Sequence, residues 1–88
     1  MNQVKTQQHL IMECIYANLQ HYQRLVAPYR EQRKILIAKE PSIFYNDIMS
    51  QYSKIIKSVI LSDLMMRLQG LDVLEAMIFL EDMDTEQL

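Results

Sequence analysis

The sequence contains one glycine, two prolines, one cysteine and no tryptophan among its 88 residues. Tight turns depend on glycine and proline, so their scarcity argues against sandwiches, barrels and other folds built from many hairpins. The single thiol, Cys14, excludes an intramolecular disulfide and any four-cysteine metal site. One glycine also rules out a glycine-rich phosphate loop. These shortages favour a helical fold.

The sequence also lacks a long hydrophobic run. No stretch approaches the roughly 18 uncharged apolar residues that a membrane span needs. The first residues, Met1 to Gln8, are polar and do not form a secretory signal. The lone cysteine is typical of a reducing compartment. We therefore expect a cytoplasmic protein with no membrane span.

The charges are unevenly distributed along the chain. Residues 1–62 carry eight Lys/Arg and four acids, a net charge of +4. Residues 63–88 carry Arg67 and seven acids, a net charge of −6, which gives the total of −2. Opposite charges at the two ends of a chain orient association, within one molecule or between copies.

Residues 1–88 are expected to form a single helical domain. The first predicted helix covers about residues 3–39, where a seam with heptad-like spacing runs through Ile15, Leu19, Tyr22, Val26 and Tyr29. Pro28 interrupts this segment, because it lacks an N–H and its ring presses on the carbonyl of Arg24. A kink at Pro28 and a true break with Pro28 in the first turn of a new helix both stay open. The unbroken seam favours the kink.

Two further helices follow. The second is predicted over about residues 42–69, capped by Ser42, with a stripe through Ile48, Tyr52, Ile55 and Val59 that Ile56 and Ile60 widen. Gly70 supplies the left-handed residue that ends helices. The third helix is predicted over about residues 73–81, where Asp72 and Glu75 form a capping box. Residues 82–88 form an acidic tail that is expected to fray.

The helix lengths predict an elongated molecule. A compact globule of this size has a radius of gyration of about 12 Å, whereas the second helix alone would be roughly 40 Å long. We therefore expect an antiparallel helical hairpin with a short third helix folded back at one end. The hairpin and third helix carry more apolar surface than two helices bury. Two arrangements stay open: a dimer with four packed helices, and a three-helix monomer in which the first helix breaks at Pro28.

No constellation of catalytic residues is present. His9 and Glu13 share a helix face, but two ligands do not fill a metal shell. Cys14 lies in an apolar run and out of reach of either histidine, which indicates a structural thiol. We expect no catalytic, cofactor-binding or metal-ligating residues, and the chain is not expected to be an enzyme.

The sequence instead favours binding to another protein, either a second copy or a larger partner. Seven methionines are many for this length, and methionine adapts to irregular partners. The predicted function is that of an adaptor, a chaperone or an inhibitor acting by helix packing. The predicted partner-binding residues are Met65, Met66, Met77, Phe79, Leu80, Tyr22, Val26 and Tyr29.

An alternative function is that of a dimeric nucleic-acid-binding regulator. The stretch from Arg24 to Lys39 is basic, and Arg30, Arg33 and Lys34 would cluster on one side of a helix, where they could contact phosphates. Glu31, Glu40 and the acidic third segment balance this charge, so an ordinary solvated face is the stronger interpretation. Nucleic acid is therefore the less favoured partner.

Overall fold

The computed structural model of the chain describes residues 5–39 and 45–88. The helices are α1 (Gln7–Ala17), α2 (Leu19–Lys39), α3 (Tyr45–Arg67) and α4 (Val73–Glu81), followed by a short 3₁₀ helix at Thr85–Gln87. These ranges contain no strand, so the predicted all-α fold is confirmed. The predicted cap at Ser42 and the predicted helix start near residue 3 lie outside the described residues.

The molecule is an elongated helical hairpin. α2 and α3 pack side by side and run antiparallel, because His21 near the start of α2 contacts Asp63 near the end of α3. The chain measures 55 × 23 × 19 Å, with a radius of gyration of 14.9 Å. That radius exceeds the about 12 Å of a compact chain of this length. The predicted elongated shape is confirmed.

The apolar core lies at one end of the hairpin, where α1 and α4 close over it. Its fully enclosed side chains come from all four helices: Ile11, Ile15, Tyr22, Val26, Ile56, Ile60, Leu64, Ala76 and Leu80. Before Ile56, no described residue of α3 is buried, and after Val26 the only buried residue of α2 is Arg33. The core therefore covers about half of the hairpin's length.

The first helix is interrupted at Asn18, and α2 continues through Pro28. The alternative prediction of a break at Pro28 is therefore wrong, because the interruption lies at Asn18. The Asn18 side chain donates from Nδ2 to the Cys14 carbonyl (2.8 Å), and its backbone N–H donates to the carbonyls of Cys14 and Ile15. Such local side-chain bonds compete with the helical ladder. The seam continues across the interruption, because Ile15, Tyr22 and Val26 are all buried.

The buried column of α3 differs by one residue from the predicted stripe. Ile56, Ile60 and Leu64 are fully enclosed, whereas Ile55 remains 40% exposed and Val59 is half-buried. Both columns are apolar, so periodicity alone does not select between them. Contacts with the neighbouring helices bury the column of Ile56, Ile60 and Leu64.

The connection between α3 and α4 follows the predicted turn chemistry. Gly70 has φ +72°, the left-handed conformation that ends many helices. Asp72 is the N-cap of α4, and its carboxylate accepts from the Glu75 backbone N–H (3.1 Å). The Asp72 backbone N–H, however, donates to Oε1 of Gln7 in α1 (2.7 Å), and Gln7 Nε2 donates to the Asp72 carbonyl (3.0 Å). A residue from α1 thus supplies the bond that the predicted capping box assigned to Glu75.

The tail expected to fray is folded. Thr85 is buried, and Met83 and Leu88 pack against the core. Asp84 caps the 3₁₀ helix by accepting from the Glu86 backbone N–H (3.0 Å). Contacts with α2, described below, hold this segment in place.

Replacing Gly70 by alanine is expected to lower the free energy of unfolding by about 1 kcal/mol, because a Cβ disfavours positive φ. A Cβ at Gly70 would meet nothing within 4 Å, so the cost comes from the backbone alone. Urea denaturation followed by circular dichroism measures it. The matched control is Gln69→Ala at the neighbouring exposed position, which should change stability by less than about 0.5 kcal/mol. A silent Gly70→Ala would contradict the left-handed turn.

Replacing Pro28 by alanine is expected to stabilise the chain, by up to about 3 kcal/mol, because proline removes a backbone bond inside a helix. Pro28 is exposed, so the change costs no buried contact. The same denaturation assay measures the effect. A loss of stability would instead indicate that Pro28 begins a separate helix.

Candidate partner-binding surface

α4 presents apolar side chains on two opposite faces. Ala76 and Leu80 are enclosed in the core. On the outer side, Leu74 is 68% exposed, Ile78 57% and Met77 50%. These three residues follow spacings of three and four, so they form one helical stripe. α4 therefore has an apolar face that no described residue covers.

The methionines of α3 lie on two different sides of that helix. Met77 and Leu61 line a groove of about 230 Å³ between α3 and α4. Met65 is 50% exposed and stands one turn beyond Leu61, on the same side. Met66 is 86% exposed and lines a separate groove with Leu25 and Val59, between α2 and α3. Met65 therefore lies on the side of α3 that faces α4, whereas Met66 lies on the side that faces α2.

We define the α4 surface by its exposed apolar side chains, which are Met65, Val73, Leu74, Met77 and Ile78. Acidic residues border it. The exposed carboxylates of Asp72, Glu75, Glu81 and Asp82 lie at the ends and edges of α4, and no Lys or Arg occurs from residue 68 to residue 88. On the α3 side, Lys54 and Lys57 line the groove beside Met77. The surface is thus apolar, with a rim that is negative along α4 and positive along α3.

Three of the predicted partner-binding residues need correction. Tyr22 and Val26 are fully enclosed and Leu80 is 2% exposed, so these side chains form the core and offer no surface in this conformation. Phe79 and Tyr29 are half-buried against the core. Met65, Met66 and Met77 are exposed, and their role in binding stays a prediction. Sequence reasoning missed Leu74 and Ile78, because α4 is apolar on nearly all sides and its periodicity gives no signal.

A polar network lies beside the core, between α2 and α3. His21 donates from Nε2 to Asp63 Oδ1 (2.9 Å), and Arg67 donates from Nε to Asp63 Oδ2 (2.8 Å). The Tyr22 hydroxyl lies 3.7 Å from Cys14 Sγ. Asp63 is largely buried, and the bonds from His21 and Arg67 satisfy both of its carboxylate oxygens. The network joins residues that are more than 40 positions apart in the sequence and thereby sets the register of the two helices.

This environment shifts two pKa values in opposite directions. Burial raises the pKa of Asp63, but hydrogen bonds from Tyr22, His21 and Arg67 outweigh it and hold the pKa below its usual value. Burial raises the pKa of the Tyr22 phenol well above its usual value, and the neighbouring Asp63 and Cys14 raise it further. Both groups therefore keep their ordinary charge states at neutral pH: Asp63 is ionised and Tyr22 is neutral.

Two of the three candidate phosphate-contacting residues hold the C-terminal segment. Arg33 is buried, and its guanidinium forms a two-pronged ion pair with the Glu86 carboxylate. Arg30 donates to the carbonyl of Thr85 and to the Leu88 main-chain oxygen (2.9 Å). Lys34 is exposed. In this conformation the basic cluster is therefore not an open phosphate-binding face.

The Arg33 pair also lowers the pKa of Glu86. The hydrogen bond from Arg33 is the main cause, and desolvation of the carboxylate opposes it. The positive charges of Arg30 and Lys34 add smaller contributions in the same direction as Arg33.

The described residues contain no group of three or more His, Cys, Asp or Glu side chains placed to hold a metal ion. None of the described helices is long and apolar enough to span a membrane. No protein-family model matches the chain, and neither the curated proteins nor the solved structures provide a significant match.

The stability of the chain is expected to fall as the pH drops below about 4. The folded state holds the pKa values of Asp63 and Glu86 below their unfolded values. The two ionised carboxylates therefore stabilise the fold fully above their unfolded pKa values. This contribution is lost as the pH falls through their folded pKa values. Urea denaturation at a series of pH values measures this dependence.

An Asp63→Asn variant tests the assignment to this network. It should lose about 1–3 kcal/mol at neutral pH, because the donors around Asp63 lose a charged acceptor. Its deficit relative to the wild type should shrink in acid. The control is Glu13→Gln, which removes an exposed ion pair with Lys5 and should cost less than about 1 kcal/mol. A deficit for Asp63→Asn that does not change with pH would contradict the assignment.

Proposed function

We propose that this chain is a small non-catalytic protein–protein interaction module that binds a partner protein through the α4 surface by helix packing. Adaptor, chaperone and inhibitor all belong to this class. The observation that carries the proposal is the exposed stripe of Leu74, Met77 and Ile78 on a helix whose opposite face is already in the core. A contiguous apolar patch of this kind, rimmed by polar residues, is typical of protein interaction sites.

The partner's chemistry follows from the composition of the surface. Burying Leu, Ile and Met side chains supplies the driving force for association. The methionines adapt to the shape of the partner's side chains. The carboxylates along α4 favour Lys or Arg where the partner meets α4, and Lys54 and Lys57 favour acidic residues where it meets α3. We therefore propose a helical partner with an apolar centre and with basic residues on the edge that faces α4.

A second copy of this chain fits the α4 surface less well than a different protein does. A two-fold dimer through this surface would bring each patch against itself. Where the two copies of α4 met, their carboxylates would lie close to one another, which is unfavourable. This repulsion does not act on dimers that form through other faces of the hairpin.

The alternative function in nucleic-acid binding gains no support from the contacts of the basic stretch. Arg30 and Arg33 carry the charge that phosphates would need, and both are engaged by the C-terminal segment. We therefore retain protein binding as the proposed function.

The proposal is tested by site-specific photo-crosslinking in the cells that contain the protein. A photoreactive phenylalanine analogue at Ile78 should give a defined adduct with a second protein. The same group at Ile35, which is 49% exposed in the distal part of α2, is the matched control and should give none. The adduct is identified by mass spectrometry.

A double variant, Leu74→Ser with Ile78→Ser, should bind the identified partner at least tenfold more weakly, because two apolar contacts of about 1.5 kcal/mol or more each are lost. Stability should change little, since both side chains are exposed. A binding affinity that the double variant leaves unchanged would contradict the proposal. Identical adducts from the photoreactive group at Ile78 and at Ile35 would also contradict the proposal.

A further inference from the structure

The C-terminal segment is held on α2 by bonds of a particular kind. Arg30 donates to the main-chain oxygens of Thr85 and Leu88, which are three residues apart. Arg33 pairs with the carboxylate of Glu86, the residue that follows Thr85. The two arginines thus recognise one turn of peptide: two main-chain oxygens and one acidic side chain.

This pattern favours a peptide over a nucleic acid. Arg30 donates to the carbonyl of Thr85, which also accepts from the Leu88 backbone N–H (3.3 Å), and to the main-chain oxygen of Leu88 just beyond the 3₁₀ helix. A phosphate would satisfy the guanidinium of Arg33 equally well. It would not supply the two main-chain oxygens that Arg30 contacts.

The two arginines need an anionic, oxygen-rich occupant. The Arg33 side chain is only 7% exposed, and a buried guanidinium without a counter-charge is strongly unfavourable. Arg30 Nε is also buried and has no hydrogen-bond partner among the described residues. The chain's own segment therefore leaves one donor of the site unused.

The hold of the segment on α2 is limited. Glu86 is 47% exposed, so water competes for its carboxylate. Within the segment, Thr85 is buried and Leu88 packs against the core, whereas Glu86 and Gln87 are exposed. Segments with few buried contacts open at low cost in free energy.

We propose that Arg30 and Arg33 form a docking site for an acidic peptide turn of a partner protein, and that residues Thr85–Leu88 occupy this site in the chain on its own. The ligand is a turn with a carboxylate at its second residue and with main-chain oxygens at its first and fourth residues that point toward Arg30. The site is distinct from the α4 surface, and its test does not depend on partner binding there.

The tethered segment competes with any incoming peptide. A short tether gives it an effective concentration in the millimolar range. The apparent affinity for an external peptide is then reduced by the fraction of sites that the segment leaves open. Weakening the segment should therefore strengthen binding of an external peptide.

The experiment measures fluorescence anisotropy of a labelled peptide with the sequence of residues 81–88 and blocked ends, mixed with the full chain. The Glu86→Gln chain should bind this peptide about tenfold more tightly than the wild-type chain does, because its own segment has lost the charged contact to Arg33. A peptide that itself carries Glu86→Gln should bind at least tenfold more weakly. A peptide with Glu81→Gln is the matched control: it loses the same charge away from the site and should bind as the unmodified peptide does.

Variants of the site complete the test, each made in the Glu86→Gln chain. Arg33→Gln should abolish peptide binding. Circular dichroism shows whether Arg33→Gln disturbs folding. Arg30 is less buried, so Arg30→Gln keeps the site testable in that case, and it should weaken peptide binding at least tenfold. The control is Arg24→Gln. Arg24 is exposed on the same helix, and among the described residues it makes no hydrogen bond to the C-terminal segment, so its loss should leave peptide binding unchanged.

Three results would overturn the proposal. The first is equal peptide affinity for the wild-type and Glu86→Gln chains, including no binding to either. The second is binding that survives Arg30→Gln, or that falls equally with Arg24→Gln, since either would indicate unspecific attraction between charges. The third is tighter binding of a single-stranded oligonucleotide with four phosphates, matched to the four acids of the peptide, with a steep dependence on salt.

Discussion

The structure depends on the packing of one side of α3. The column of Ile56, Ile60 and Leu64 is the surface against which α2, α4 and the 3₁₀ helix assemble. This column begins about halfway along α3, so the core closes at one end of the hairpin only. A chain of this length hides only about 60–65% of its unfolded surface. Apolar side chains on α4 and on the rest of the hairpin consequently stay in contact with water.

The two proposed sites use different physical interactions. The α4 surface is apolar and rich in methionine, so its affinity would come from desolvation and from adaptable packing. The Arg30–Arg33 site recognises main-chain oxygens and a carboxylate, so its specificity would come from the direction of charged hydrogen bonds. No described residue covers the α4 surface, whereas residues Thr85–Leu88 occupy the Arg30–Arg33 site. A module with both would bind a partner constitutively through one surface and conditionally through the other.

One polar contact between distant residues replaced a bond that was expected locally, and another holds a segment that was expected to fray. The capping box at α4 was predicted from Asp72 and Glu75, and its N-cap half is present. The other half is made by Gln7, 65 residues away. Glu86 was assigned to a frayed acidic tail, although the charge distribution indicated attraction between the acidic end and the basic part of the chain. Arg33, 53 residues earlier, supplies its partner. Local rules identified which groups need bonds, and they did not identify the tertiary donor.

The sequence alone was sufficient for the helical class, the elongated hairpin, the turn at Gly70 and the N-cap at Asp72. These depend on period, length and the chemistry of single residues, which act locally. Tertiary structure decided the rest. It placed the helix interruption at Asn18, where a side-chain amide bonds its own backbone and Arg67 reaches it from α3. It chose Ile56 over Ile55 for the core and turned Leu74 and Ile78 of α4 outward. Apolar residues on several sides of one helix are equivalent in sequence, and only the neighbouring helices determine which of them are buried.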